Sequence, residues 1–348
     1  MKTLCSVPAK LILSGEHSVL YQCPALSMAI DLPTFCECEY TPNTVFSITI
    51  ELVNFQQKHC FPYSLWQKMC IEMECRYLLF QQKSGAIQSV LTKPVDLILN
   101  TLFHFEELCP LKLGDWQFKI HSDAFIGRGL GSSAAVILSL LTSLMKHHDF
   151  KLSDDALLAL SLLIESRQHG KSSGIDPATL IYGGLLQYQS NLPIQRVDPQ
   201  KLNAWLIDTG KPLSTTGQCV QQVKQEWADN KSCWKAFKKV TQKLVEAWVE
   251  EDSRTFKKEI RKNQQLLFKL GVVPAKVQNF IDRLESQYDA AAKICGAGSI
   301  SGDNAGVVLC ISEKPPYALC EIYDYECLPL HLQTKGIECN VIDSAKID

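Results

Sequence analysis

The segment Gly127-Arg-Gly-Leu-Gly-Ser-Ser-Ala-Ala135 constrains this chain more than any other. Three glycines alternate with other residues and lead straight into an apolar run, Val136 to Met145, that reads as a buried helix. Glycine lets backbone N–H groups approach an anion with no Cβ in the way. The first-turn N–H groups of the helix that follows lack helical partners, and the helix dipole adds partial positive charge there. Ser132 and Ser133 supply hydroxyls that can reach phosphate or a Mg²⁺ ion. The pattern is neither the G-x-x-x-x-G-K-[ST] loop nor the G-x-G-x-x-G dinucleotide fingerprint. Two readings fit it: a phosphate site, or a glycine-rich turn that simply caps a buried helix.

Around this segment, strand and helix patterns mix without alternating strictly. Leu11–Leu13 and Val45–Val53 read as strands, and residues 46–52 alternate as one wet and one buried face. Trp116 to Ile120 alternates in the same way just before the glycines. Ser153 is a candidate N-cap, with Asp154 and Asp155 in the first turn of a helix that runs to His169 and stops at Gly170. Residues 233–270 are rich in Lys, Glu and Gln with periodic apolar positions, and Gly271 ends them. Pro274 is expected to start a helix that reaches about Ala292. A second glycine-rich turn, Gly296 to Gly306, leads into the apolar strand Val307–Ile311. The mixture predicts an α+β fold rather than a doubly wound parallel sheet. The change of character near residue 190 predicts two domains, 1–190 and 191–348, which suits a chain of 348 residues.

Composition excludes several classes of function. The formal net charge is -2, and no basic stretch marks a nucleic-acid partner. Lys10 and Glu16 interrupt the first apolar stretch too early for a signal peptide. No apolar run approaches the roughly 18 to 20 residues that span a bilayer, so no membrane role and a cytoplasmic location are expected. The 15 cysteines are odd in number, scattered, and without a C-x-x-C pair. They read as reduced, mostly buried thiols.

Four charged or titratable residues stand out for chemistry, each with an ordinary alternative. Glu165 closes an otherwise apolar helix, so it is either solvated at the helix end or buried and paired with a cation. Asp176 follows a glycine-containing turn and precedes Pro177, as a cap or as a reactive carboxylate. Lys10 lies in the apolar stretch Leu4 to Leu13, where it either snorkels outward or serves a buried site. His17 is either a structural hydrogen-bonding residue or a substrate contact.

The glycine loop Gly127 to Ala135 resembles the ATP-phosphate loop of the GHMP kinases, a family of small-molecule kinases with three separated motifs. Pro8-Ala-Lys-Leu-Ile-Leu-Ser-Gly-Glu-His-Ser-Val-Leu-Tyr21 is similar to the first, and its Gly-Glu-His core resembles the mevalonate-kinase branch. Lys293-Ile-Cys-Gly-Ala-Gly298 resembles the third, so the resemblance spans nearly the whole chain. It implies a two-domain fold with the active site in the cleft, ATP bound with Mg²⁺, and phosphorylation of the 5-hydroxyl of mevalonate. It assigns the ATP phosphates to Gly127, Arg128, Gly129, Leu130, Gly131, Ser132, Ser133 and Ala134. It makes Ser133 and Glu165 the metal ligands and Asp176 and Lys10 the catalytic pair. Lys10, Glu16, His17, Asp176 and Thr215 would contact the acceptor or order its site, the last from the segment Asp208-Thr-Gly-Lys-Pro-Leu-Ser-Thr215. It is compatible with a homodimer.

The third motif departs from the family, because Gly298 is followed by Ser299-Ile-Ser-Gly-Asp303 rather than by further glycines. Ile300 is β-branched and tolerates positive φ poorly. The alternatives are another kinase of the family acting on a phosphorylated or sugar acceptor, a related decarboxylase, and a non-catalytic binding relative. A phosphorylated acceptor calls for extra cations in its pocket, and Lys171 is the one nearby candidate, otherwise a solvated surface charge.

Overall fold

The computed structural model describes residues 1–198 and 200–342. The strands are β1 (Lys2–Ser14), β2 (Ala25–Pro42), β3 (Ser47–Leu52), β4 (Gln57–Pro62), β5 (Gly114–Ser122), β6 (Leu185–Tyr188), β7 (Gln195–Val197), β8 (Ala204–Asp208), β9 (Ala291–Cys295), β10 (Val307–Ile311), β11 (Glu326–Pro329) and β12 (Glu338–Ile342). The helices are α1 (Tyr63–Gln81), α2 (Pro94–Glu106), α3 (Ser132–His148), α4 (Asp154–His169), α5 (Ile175–Tyr182), α6 (Thr216–Trp227), α7 (Lys231–Val249), α8 (Ser253–Lys269), α9 (Ala275–Tyr288) and α10 (Tyr317–Tyr323). No helix among the described residues is long and apolar enough to cross a membrane.

The larger sheet runs β12-β1-β2-β5-β3-β4, with β6 and β7 added beside β2; β3 and β5 are parallel and the other pairs antiparallel. The smaller sheet runs β11-β8-β10-β9 and is antiparallel throughout. The α+β expectation holds. We propose a division in which residues 1–190 together with β7 and β12 form one unit, and residues from about 200 to 330 form the other. The strands β7 and β12 lie beyond residue 190 yet pair into the larger sheet.

β1 joins the two units. Its first half alternates between half-buried and buried positions, whereas Val7 to Ser14 are buried without interruption. Val7 packs with Ala134, Ala135 and Leu138 of α3. Ala9, Leu11 and Leu13 pack instead with Val240 and Leu244 of α7 and Ile260 of α8. Its second half is therefore covered on both faces, as in a central rather than an amphipathic strand.

Local signals place most boundaries. Ser153 caps α4 by accepting from the Ala156 N–H at 3.2 Å, and Gly170 ends that helix at φ 78°. The structure divides one stretch and corrects one boundary. The stretch 233–270 is broken at Glu250–Asp252, where Asp252 caps α8 by accepting from the Thr255 N–H at 2.9 Å. The helix beginning after Pro274 ends at Tyr288 rather than Ala292, because Asp289 turns left-handed at φ 47°; Ala291 and Ala292 enter β9. All 15 cysteines are free thiols, and most are buried.

Candidate active site

The glycine loop turns on three left-handed residues, Gly127, Gly129 and Gly131, at φ 74°, 83° and 77°. Such φ values strongly disfavour side chains with a Cβ. The third turn opens α3, so its first N–H groups point out of the helix beside the loop. The Lys10 N–H donates to the Leu130 carbonyl at 3.0 Å, which ties β1 to the loop. Across the cleft, a Cβ at Gly129 would lie 3.0 Å from the Cys295 carbonyl oxygen, so the loop rests directly on the third motif.

Lys10 does not snorkel outward. It is 3% exposed, and its Nζ lies 3.0 Å from Asp176 Oδ1. Asp176 sits in the first turn of α5, behind Gly174 at φ 87°. A Cβ on Gly131 would stand 2.8 Å from Lys10 Cγ and 3.7 Å from Asp176 Oδ2, so loop, lysine and carboxylate share one point.

Glu165 is 2% exposed, which excludes the solvated helix end. Ser133 Oγ donates to its Oε1 at 3.3 Å and Ser172 Oγ to its Oε2 at 2.7 Å. Burial, and then the nearby Asp176 charge, push its carboxyl up to about 7. His169 Nε2 lies 3.3 Å from Ser133 Oγ, and burial holds this imidazole below its usual range. A buried carboxylate and hydroxyl at the start of a phosphate-type loop form the hard oxygen set that Mg²⁺ prefers. Among the described residues no cluster of three His, Cys, Asp or Glu could hold a metal. Mg²⁺ needs none where nucleotide phosphates complete its shell.

Other expected contacts fall differently. Glu16 does not face open space: it forms an ion pair with Lys293, and both side chains are fully buried. The pair joins the turn after β1 to β9. His17 Nε2 lies 3.0 Å from the Ala297 carbonyl oxygen, while its Nδ1 is buried with no partner among the described residues. Burial lowers its pKa. Arg128 turns its guanidinium to Asp208, so what this residue offers a phosphate is its backbone. Thr215 caps α6, where its hydroxyl bonds Gln218. It lines a cavity of about 430 Å³ together with Gly127, Gly129, His169, Lys211 and Ala297. In the third motif and the turn after it the positive φ values fall on Gly296, Gly298, Gly302 and Gly306, at 117°, 71°, 73° and 80°, and not on Ile300.

Reasoning from sequence missed Lys293, Ser172 and the Arg128–Asp208 pair. Lys293 carried a signal, because a lysine inside the apolar run Ala290–Cys295 needs a buried partner. Ser172 and Asp208 carried none that residue type reveals.

Residues 96–184 match the family described as GHMP kinases N terminal domain. The mevalonate kinase of Pyrococcus abyssi is 28% identical over 304 residues, 85% of each chain. A solved mevalonate kinase superposes with a TM-score of 0.77 at 22% identity, covering 95% of this chain and 99% of that one. The 96–184 segment is thus a GHMP kinase N-terminal domain, and most of the chain is similar to mevalonate kinases. The chain's fold is the family's over nearly the full length, but this fold does not by itself choose the acceptor. Lactococcus lactis galactokinase, solved with galactose, superposes with a TM-score of 0.75 at 12% identity, covering 97% of this chain and 95% of that one.

Proposed function

We propose that this chain transfers the γ-phosphoryl group of ATP to the 5-hydroxyl of mevalonate, giving 5-phosphomevalonate and ADP. The contact between Lys10 and Asp176 beneath the glycine loop carries the reading, taken with relatives that are mevalonate kinases.

In this reading the loop N–H groups and the α3 N-terminus cradle the phosphates of ATP. The apolar cavity beside Ser132, lined by Leu52, Phe55, Ile98, Ile120 and Val136, takes the flat base. Asp176 accepts a hydrogen bond from the acceptor hydroxyl and orients it for in-line attack. Lys10 lowers the pKa of that hydroxyl and neutralises charge on the transferring group. Glu165 and Ser133 hold Mg²⁺, which neutralises phosphate charge when bound. His17, behind the turn at Gly15, faces the acceptor end. We extend the reading to a cytoplasmic enzyme, in keeping with its free thiols. We extend it also to a homodimer, which light scattering tests.

A coupled ADP-release assay with Mg²⁺-ATP against mevalonate, 5-phosphomevalonate, galactose and homoserine tests the assignment. Turnover on mevalonate alone supports it. Preference for another acceptor keeps the kinase chemistry and removes mevalonate.

A further inference from the structure

One side chain ties the glycine loop to the second half of the chain. Arg128 Nε donates to both oxygens of Asp208, at 2.8 and 3.0 Å, and Nη1 reaches the Ile126 carbonyl at 3.4 Å. Asp208 ends β8, and its Oδ1 also accepts the Gly210 N–H at 2.9 Å. Beneath the loop, a Cβ on Gly306 would come 2.7 Å from the Arg128 carbonyl oxygen, so the Arg128 backbone is seated on Gly306. Gly306 is bonded in turn to the segment after Asp208: its carbonyl accepts the Thr209 N–H at 2.9 Å, and its N–H donates to Gly210 at 3.1 Å. Arg128 is thus held by backbone below and by a carboxylate at its side. The pair is shielded, with side chains 21% and 12% exposed, where charge-assisted bonds keep more of their strength.

What this fixes is Lys211. It lines the cavity with Gly127 and Gly129, and a Cβ on Gly127 would stand 3.7 Å from its Cε. Among the described residues its ammonium has neither an ion pair nor a side-chain hydrogen bond. An arginine inside a polyanion-binding loop would itself be drawn to phosphate. Asp208 neutralises Arg128 and holds it aside, leaving Lys211, among the described residues, as a free cation over the loop.

We propose that the Arg128–Asp208 pair is a positioning latch that holds segment 208–215 against the glycine loop, so that Lys211 contacts the phosphates of the bound nucleotide. This deepens the kinase reading and rests on it. The Arg128 and Asp208 side chains act through Lys211; of these three side chains only that of Lys211 touches the nucleotide.

The test measures ADP affinity by calorimetry without acceptor, and the KM for ATP and for mevalonate by steady-state kinetics. Arg128→Ala, Asp208→Asn and Lys211→Ala should each weaken ADP binding by about tenfold, the scale of a lost charge-assisted bond. The mevalonate KM should stay within about twofold. The double variant Arg128→Ala/Asp208→Asn should bind ADP no more weakly than the worse single, and Lys211→Ala should add little to it. Wild-type ADP affinity in Asp208→Asn overturns the latch. So do additive losses in the double variant, which would mean that Arg128 reaches phosphate itself. A lowered melting temperature with intact ADP affinity in all three reduces the pair to a brace. Should Arg128→Ala not fold, Asp208→Asn and Lys211→Ala decide the matter alone. Latch-dependent ADP binding with no turnover on mevalonate would sink the substrate assignment and leave the latch standing.

Discussion

Lys10 of β1 and Asp176 of α5 meet at 3.0 Å directly beneath Gly131, the residue that opens α3. The Lys10 side chain has little room to leave, because it is buried and its own backbone is bonded to Leu130. Removing the carboxylate charge while keeping its shape isolates its role. Asp176→Asn should lower kcat by about 10² to 10⁴, the range of a lost general base or orienting group. Lys10→Met should fall in the same range. In both, the KM for ATP should change little, since the loop is untouched. An Asp176→Asn enzyme that keeps more than about a tenth of wild-type kcat would remove Asp176 from the chemistry.

Glu165 is a buried carboxyl held near 7, raised by burial first and by Asp176 second. A folded pKa above the unfolded one stabilises the protein below the unfolded value, near 4.5. That contribution is lost as pH rises through about 7. A divalent cation bound to the ionised form offsets this loss. Mg²⁺ with ADP should therefore raise the melting temperature more at pH 8 than at pH 6, and Glu165→Gln should flatten the difference. The same variant should need roughly tenfold more Mg²⁺ for half-maximal rate. Equal Mg²⁺ requirements in variant and wild type would remove Glu165 as a ligand.

Much of this architecture was legible where the determinants are local. The Ser153 cap, the Gly170 stop, the alternation at 46–52 and the glycine loop each depend on a few neighbouring residues. What escaped depends on distant ones. The helix α1 buries Trp66, Cys70, Met73 and Tyr77 but exposes Ile71, Leu78 and Leu79, so its apolar stripe is blurred. Whether Lys10 is buried turns on Gly131 and Asp176, which pack against its side chain from far along the chain. For Glu16, contact with the acceptor and ordering of the site stayed open, because its partner Lys293 lies 277 residues further on. Residue types suggested the chemistry; only the assembled cleft separates a reactive carboxylate from a helix cap.

The glycines of the loop differ in what a methyl group would meet. At Gly131 it would lie 2.8 Å from Lys10 Cγ, whereas at Gly127 the nearest atom is Lys211 Cε at 3.7 Å. Both positions are left-handed and share a backbone cost of about 1 to 2 kcal/mol. Gly131→Ala must also displace Lys10. It should lower kcat well beyond Gly127→Ala at similar thermal stability, as single-turnover rates would show. Matching rates in the two variants would mean that Lys10 tolerates displacement.

Acid should weaken the fold in two steps. Burial holds His147 at about 4, below its usual 6.5, and its Nε2 lies 3.2 Å from the Cys38 carbonyl. A depressed histidine stabilises fully above 6.5 and loses that contribution as pH falls to about 4. Glu74 follows. Burial alone would raise it, but hydrogen bonds from His104, Arg167 and Asn100 hold it at about 2, so its contribution fades between about 4.5 and 2. Denaturant unfolding across pH should show both limbs. His147→Gln, which keeps a donor for Cys38, should flatten the upper limb alone. Because the raised Glu165 carboxyl gains stability over the same window, the check is the comparison: a wild-type limb between 6.5 and 4 identical to that of His147→Gln would contradict the assignment.

The Glu16–Lys293 pair joins the turn after β1 to β9 with both side chains wholly buried. The ammonium also donates to the Ile12 carbonyl at 3.0 Å and the Ile294 carbonyl at 2.6 Å, so it fills the gap between the two units. Burying one charge without the other is far costlier than burying neither. Lys293→Met should therefore cost about 3 to 5 kcal/mol of stability, and Glu16→Gln a comparable amount. In the double variant Glu16→Gln/Lys293→Met no isolated charge remains, so its loss should fall short of the sum by more than about 1 kcal/mol. Chemical denaturation of the four proteins measures this coupling directly. Additivity within about 0.5 kcal/mol would show that each group is held by its carbonyl or backbone neighbours rather than by its partner. A coupled loss accompanied by a raised KM for mevalonate would further tie the pair to His17, which follows Glu16 and rests on Ala297 across the same junction.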